Sequence, residues 1–202
     1  MKKVSSSFRL MLTVLLVFAC SVGVFAPQQA KAATTRTPVI FVHGLGGTAS
    51  NFTYIESYLS RQGWASNELY AIELPSKSGN QLLNAATISR KVDEVLAQTG
   101  SQKVNIVAHS MGGANSLYYI LNNGGLSKVD KLVTIGGANR LTTNRAPDGI
   151  KVTSIYTIND QIVANQLSML DGANNIRVFG MAHIGLLYSP SVSGLIKTAL
   201  EE

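Results

Sequence analysis

The stretch Val104-Asn105-Ile106-Val107-Ala108-His109-Ser110-Met111-Gly112-Gly113-Ala114 decides the fold. Residues 104–108 form a short apolar run that reads as a buried strand. The run stops at His109-Ser110, and the small residues that follow open a helix. A serine on a sharp strand-to-helix turn has its Oγ pushed out above the sheet, where it is exposed as a nucleophile. The usual pattern is Gly-x-Ser-x-Gly. Here Ala108 replaces the first glycine, giving Ala-x-Ser-x-Gly, so the rest of the chain has to show whether the other parts of a nucleophilic apparatus are present.

Five further apolar runs flank this stretch. Residues 37–43, centred on Val39-Ile40-Phe41-Val42, read as a strand buried on both faces. Strands are also expected at 69–72, 132–135, 153–158 and 176–179. Between them lie helical patterns. Phe52, Ile55 and Leu59 share one face, and Ile88, Val92, Val95 and Leu96 share another. A helix is expected over 111–121, a short one over 163–170, and a last one capped by Ser189-Pro190. Strands alternating with helices imply right-handed crossovers and a six-stranded, mainly parallel sheet with helices on both faces, an α/β fold. Ligands of such sheets gather at the carboxyl ends of the strands. His43, Ser110, Asp160 and His183 each follow a strand.

A serine hydroxyl needs a base within hydrogen-bond reach, and the base needs a third group to hold its tautomer. Of three histidines, His43 leads into a glycine turn, where a structural role is expected. His109 is fixed beside Ser110, with its side chain expected to point away. His183, on a loop after the last strand, is the natural base. In Ser-acid-His order the acid lies between 110 and 183. Asp130 and Asp148 precede strands, at the wrong end of the sheet, and Asp171-Gly172 has the look of a turn. Asp160 directly follows a strand and is preferred over Asp171. An oxyanion needs two preorganised N–H donors. Met111 supplies one at a helix N-terminus, and Leu45 supplies the other from the glycine-rich loop His43-Gly44-Leu45-Gly46-Gly47. That loop lacks the spacing of a phosphate cradle. Three histidines on three separate loops have no metal-ligand spacing, and no cofactor is implied.

Residues 1–32 read as a signal peptide. Lys2, Lys3 and Arg9 precede an apolar core over 11–26, and Ala30-Lys31-Ala32 forms a small-x-small cleavage site. The core is shorter than the ~20 residues of a spanning helix, which disfavours an uncleaved anchor. The expected product is a secreted single domain, 33–202. The whole chain has 17 basic and 11 acidic residues; without Lys2, Lys3, Arg9 and Lys31 the balance is 13 to 11, a net of +2. No basic cluster remains to suggest a nucleic-acid partner. The single cysteine, Cys20, falls in the apolar core, so the mature chain has no disulfide or thiolate. Lipidation at Cys20 competes with cleavage, but Phe18 is too bulky for that pattern.

The assembled motifs resemble the small secreted lipases of Bacillus, the Bacillus subtilis lipase A type of the α/β-hydrolase superfamily. The match runs through residues 42–47, Ser57-Tyr58-Leu59, Gln62-Gly63-Trp64, 106–115, 136–143, 170–173 and 183–189. Alanine at the first elbow position is itself a mark of that group. The resemblance implies triacylglycerol lipase and carboxylesterase activity, with Ser110, Asp160 and His183 as the triad and Leu45 and Met111 as oxyanion donors. Acylglycerols met transiently at a lipid–water interface are the implied substrates, and the protein is expected to act as a monomer. Leu45 in place of isoleucine and Ala182 in place of glycine depart from the pattern. They bear on pocket shape and on the His183 loop. Only about 15 residues separate the fourth and fifth strands, too few for a lid domain, which implies a minimal fold with an open site. The triad alone also suits a peptidase or thioesterase, and the fold alone suits a non-catalytic binding domain. An intact triad and oxyanion loop disfavour the latter.

Overall fold

Strand β1 (Val39–Val42) shows why this chain builds a doubly covered sheet. Every residue of it is buried, with Val39 and Phe41 on one face and Ile40 and Val42 on the other. A pleat places successive side chains on opposite faces, so an uninterrupted apolar run needs cover on both. The computed structural model describes residues 34–202; the expected signal segment 1–32 and Cys20 lie outside the described residues.

The remaining strands are β2 (Leu69–Ile72), β3 (Val104–His109), β4 (Val129–Ile135), β5 (Lys151–Thr157) and β6 (Asn174–Val178). They form one sheet in the order β2-β1-β3-β4-β5-β6, with every pairing parallel. Helices α1 (Thr53–Arg61) and α5 (Pro190–Glu201) cover the face of Phe41, Val107 and Ile135, contributing Ile55, Leu59, Val192 and Ile196. The opposite face, with Ile40, Ile106 and Leu132, is covered by α2 (Gln81–Thr99) and α3 (Met111–Asn122) through Ile88, Val92, Leu117 and Ile120. Local capping sets the helix ends. Asn80 accepts from the Leu83 N–H at the start of α2, and Gly100 closes that helix with φ 78°. Ser189 accepts from the Val192 N–H ahead of Pro190 in α5.

Several elements differ from the sequence expectation, among them β5, which runs Lys151–Thr157 and not 153–158. Strand β4 begins at Val129, so Asp130 lies inside it, at its amino-terminal end, paired with Lys131 at 2.9 Å. The helix expected over 163–170 shrinks to a single turn, α4 (Asn165–Ser168). Strand β6 starts two residues earlier than expected and leaves Phe179 outside it, 58% exposed. As an edge strand it has Asn174, Asn175 and Arg177 in solvent, so it does not share the complete burial of β1 and β3. Between β4 and β5 the chain forms a loop with one 3₁₀ turn, Asn139–Leu141, and no lid domain.

The order reverses between β1 and β3, where the chain turns outward in both directions. A crevice opens at the carboxyl ends of the strands flanking such a switch point. Here those ends are His43-Gly44 and Ser110.

Candidate active site

Ser110 joins β3 to α3 with φ 57° and ψ −127°, the only non-glycine residue with positive φ among the described residues. Backbone of this kind costs of order ~1–3 kcal/mol and persists only where surrounding structure imposes it. Here the Ser110 N–H donates to the Ile135 carbonyl at 3.1 Å, and the Ser110 carbonyl accepts from the Gly113 and Ala138 N–H groups at 3.0 and 2.9 Å. Packing also requires the glycines around it. A Cβ on Gly112 would stand 2.3 Å from the Val42 carbonyl oxygen, and one on Gly44 would stand 2.7 Å from the Ser110 Cβ. Helix α3 therefore starts hard against the end of β1. Ala108, at the first motif position, sits fully buried in the core with its methyl accommodated.

Asp160 and His183 come together from the loops after β5 and β6. The His183 Nδ1–H donates to Asp160 Oδ2 at 2.7 Å, and both side chains are almost completely buried. The other carboxylate oxygen accepts from the Ile162 and Val163 N–H groups at 2.9 and 2.8 Å, which fixes the carboxylate's orientation. The two loops are tied to each other as well. Thr157 Oγ1 donates to the Met181 carbonyl at 2.7 Å, and Asn159 Oδ1 accepts from the Gly180 N–H at 3.2 Å. Asp171, the competing acid, lies elsewhere; its exposed carboxylate pairs with Arg140 at 2.8 Å. Asp148 is likewise an exposed residue of the β4–β5 loop.

A cleft of about 250 Å³ brings Ser110 and His183 together with Gly44, Leu45 and His109. Among the described residues no hydrogen bond joins Ser110 Oγ to the His183 ring; in resting sites this contact is often loose and tightens on substrate. The Met111 N–H belongs to the first turn of α3, where backbone donors have no intrahelical partner. Leu45, Ile162 and Ile184 line the cleft with 54%, 67% and 52% of their surface exposed, so its mouth is apolar and open.

His109 departs from expectation. Its ring does not turn away but packs on His183, with centroids 4.5 Å apart, and its Nε2–H donates to the His183 carbonyl at 3.4 Å. The period-2 rule carried this information. His109 shares a sheet face with Val107, the face beneath the His183 loop. Burial, reinforced by neighbouring His183, pushes the His109 imidazole down to about 3, so it is neutral at ordinary pH.

His43 is fully buried under the glycine loop. Its Nδ1–H donates to the Gly44 carbonyl at 2.8 Å, and its Nε2 accepts from the Leu74 N–H at 3.1 Å. Burial lowers its pKa against the opposing effect of the Gly44 hydrogen bond, so it too is held neutral. Among the described residues no group of three or more His, Cys, Asp or Glu side chains is placed to hold a metal ion.

Comparison with known proteins fits this geometry. A family model described as lipase (class 2) matches residues 36–144. Over 97 residues the chain is 36% identical to a triacylglycerol lipase of Pseudarthrobacter phenanthrenivorans, covering 43% of this chain and 28% of that one. The chain spans between 25% and 36% of the lengths of three triacylglycerol lipases it matches, from Pseudarthrobacter phenanthrenivorans, Burkholderia plantarii and Vibrio cholerae. Aspergillus fumigatus lipase B superposes with a TM-score of 0.72 at 18% identity, over 83% of this chain and 53% of the other. An α/β hydrolase from a sediment metagenome of the Mar Chica lagoon in Morocco superposes with a TM-score of 0.64 at 19% identity, over 82% and 91% of the two chains. At such identities the likeness establishes the α/β-hydrolase fold.

Proposed function

The chain belongs to the class 2 lipase family, and from that premise we propose that it hydrolyses carboxylic ester bonds of acylglycerols through an acyl-Ser110 intermediate. The observation that carries this reading is the buried Asp160–His183 pair, 2.7 Å apart, with His183 facing the same cleft as the strained Ser110 elbow.

Each residue then has a defined task. Asp160 holds the proton on His183 Nδ1, which leaves Nε2 as the lone-pair nitrogen. As Ser110 Oγ attacks the ester carbonyl carbon, Nε2 takes the hydroxyl proton, and the carbonyl π-electrons move onto oxygen. The Leu45 and Met111 N–H groups are the donors for that oxyanion, aided by the positive end of the α3 dipole. Collapse expels the alcohol, protonated by His183, and leaves the acyl group on Ser110. Water then repeats the sequence with His183 as base, releasing the carboxylic acid. No metal or cofactor enters this scheme. The half-exposed Leu45, Ile162 and Ile184 at the mouth of the cleft suit transient contact with a lipid–water interface. The finer affiliation, to the small secreted Bacillus lipases, rests on the motifs running from Val42 to Ser189, and export rests on the composition of residues 1–32.

A fluorophosphonate probe with peptide mapping tests the assignment. The expected result is a single adduct on Ser110, together with loss of p-nitrophenyl butyrate hydrolysis in Ser110→Ala. A folded protein that takes no label and cleaves no ester would favour a non-catalytic binding domain instead.

A further inference from the structure

His43, Glu73 and Lys77 lie beside the cleft without a part in the scheme above. A fully buried imidazole must satisfy both ring nitrogens inside the protein. His43 Nδ1–H donates to the Gly44 carbonyl at 2.8 Å, so its Nε2 is the acceptor. Two donors converge on that nitrogen: the Leu74 N–H at 3.1 Å and the Lys77 ammonium at 3.3 Å. With both present, the opposite tautomer would set an N–H against two donors and a lone pair against the Gly44 oxygen. Lys77 also donates to the Gly47 carbonyl and to Glu73 Oε2, each at 2.7 Å. Glu73 Oε1 accepts from the Ala49 N–H at 2.6 Å, and the Lys77 carbonyl accepts from the Gly46 N–H at 2.9 Å. The glycine loop is thus laced to the turn after β2 along its whole length.

The consequence lies in one peptide plane. The Gly44 carbonyl and the Leu45 N–H belong to the same peptide unit, which is trans, so they point in opposite directions. The carbonyl accepts from His43 at 2.8 Å and, more weakly, from the Gly47 N–H at 3.2 Å, which turns the Leu45 N–H to the opposite side at a residue that lines the cleft shared with Ser110. Among the described residues that N–H has no protein acceptor. The lack of a Cβ on Gly44 lets this plane lie directly against Ser110.

We propose that His43 is a positioning residue that aims the Leu45 N–H at the developing oxyanion, and that Lys77, anchored by Glu73, fixes the His43 tautomer and the loop for that purpose. The proposal rests on the acyl-Ser110 reading.

The test compares His43→Leu, which removes the donor, with His43→Asn, whose amide nitrogen can take the place of Nδ1. The readouts are kcat and KM for p-nitrophenyl butyrate and the Kd of hexylboronic acid, whose Ser110 adduct places an oxygen in the oxyanion site. Losing one oxyanion donor costs ~10²–10³ in turnover, so His43→Leu should lower kcat by up to ~10² with KM within about threefold. The boronate Kd should rise in step, and His43→Asn should recover at least about tenfold of the loss. Should His43→Leu fail to fold, Lys77→Met carries the test at a half-exposed side chain, with about tenfold lower kcat expected and restored by Lys77→Arg. Equal losses in the Leu and Asn variants, losses confined to KM, or an unchanged boronate Kd would overturn the proposal while leaving the Ser110 reading intact. Ester hydrolysis that survives Ser110→Ala would remove the reading beneath it.

Discussion

Gly112→Ala and Gly194→Ala make the same chemical change with opposite expected signs. At Gly112 the new methyl carbon would stand 2.3 Å from the Val42 oxygen and 2.8 Å from the His43 oxygen, both backbone atoms of β1 or its end. Non-bonded carbon contacts sit near ~3.5 Å, so the start of α3 must withdraw by about 1 Å. Overpacking of this kind costs ~1–3 kcal/mol, and because neither oxygen belongs to a flexible side chain the upper end applies. For a domain of this size ~3 kcal/mol lowers Tm by about 6–12 °C. The same shift displaces the Met111 N–H from the Leu45 N–H, and misplacement by ~1 Å can cost ~10² in rate. At Gly194, within α5, the nearest atom to a new Cβ is the Tyr58 hydroxyl at 3.6 Å, an ordinary contact. Alanine should therefore stabilise by ~0.5–1 kcal/mol through helix propensity. Urea unfolding of the three proteins, with p-nitrophenyl butyrate turnover on the folded samples, measures both effects. A Gly112→Ala protein matching the wild type in midpoint and turnover would refute the claim that α3 is seated without slack. A less stable Gly194→Ala would refute the reading that the new methyl makes only an ordinary contact with Tyr58.

Asp160→Asn should lower kcat by ~10³–10⁴, because the wrong His183 tautomer is then favoured, whereas Asp171→Asn should stay within about threefold. Steady-state kinetics rank the two, and the reverse ranking would return the acid's role to Asp171. Stability should also depend on pH through His109. The folded state keeps this ring neutral down to about pH 3, while the unfolded chain protonates it near 6.5. Between those values the unfolded state binds more protons, so stability is full above 6.5 and falls as pH drops toward 3. The loss approaches ~1.4 kcal/mol per pH unit, or about 2 kcal/mol between pH 7 and 5. His43, also held neutral, adds the same sign. Urea midpoints at several pH values should show a shallower decline in His109→Phe than in the wild type, and parallel curves would contradict the reading. With no lid over the cleft among the described residues, the rate on tributyrin should rise smoothly through the solubility limit; a sharp jump there would argue for a closing element.

Where burial is two-sided, the sequence pattern and the structure coincide. The apolar run of β1, and that of β3 interrupted only by Asn105, place both strands and the turn between β3 and α3, because both faces of each are buried. Legibility fails where tertiary context competes with pattern. Strand β6 carries asparagines and an arginine in solvent at the sheet edge, so its register could not be read from apolar residues. The apolar run of β4 begins at Leu132 and so puts Asp130 ahead of the strand, whereas the strand begins at Val129 with Asp130 paired to Lys131 inside it. At the site, chain order and position after a strand single out Asp160 and His183, and the structure sets them 2.7 Å apart. The His43–Lys77–Glu73 lacing was not legible. It joins residues about 30 positions apart through backbone carbonyls, and no residue pattern encodes which carbonyl a side chain meets.

The division of the cleft between sheet regions has a thermal consequence. Ser110 follows β3, inside the sheet between β1 and β4, whereas His183 follows β6, the edge strand, and Asp160 follows β6's neighbour β5. Their loops are tied to each other by hydrogen bonds from Thr157 to Met181 and from Gly180 to Asn159. Local opening is easiest where few apolar contacts hold an element, and β6 has the least buried strand of the sheet. Fraying of β6 withdraws His183 from Asp160, which stays with the buried β5, and leaves Ser110 seated at the end of the fully buried β3. Warming should therefore silence the chemistry reversibly at temperatures where the central strands are still intact, so that the working range is set by the rim of the sheet and not by its core.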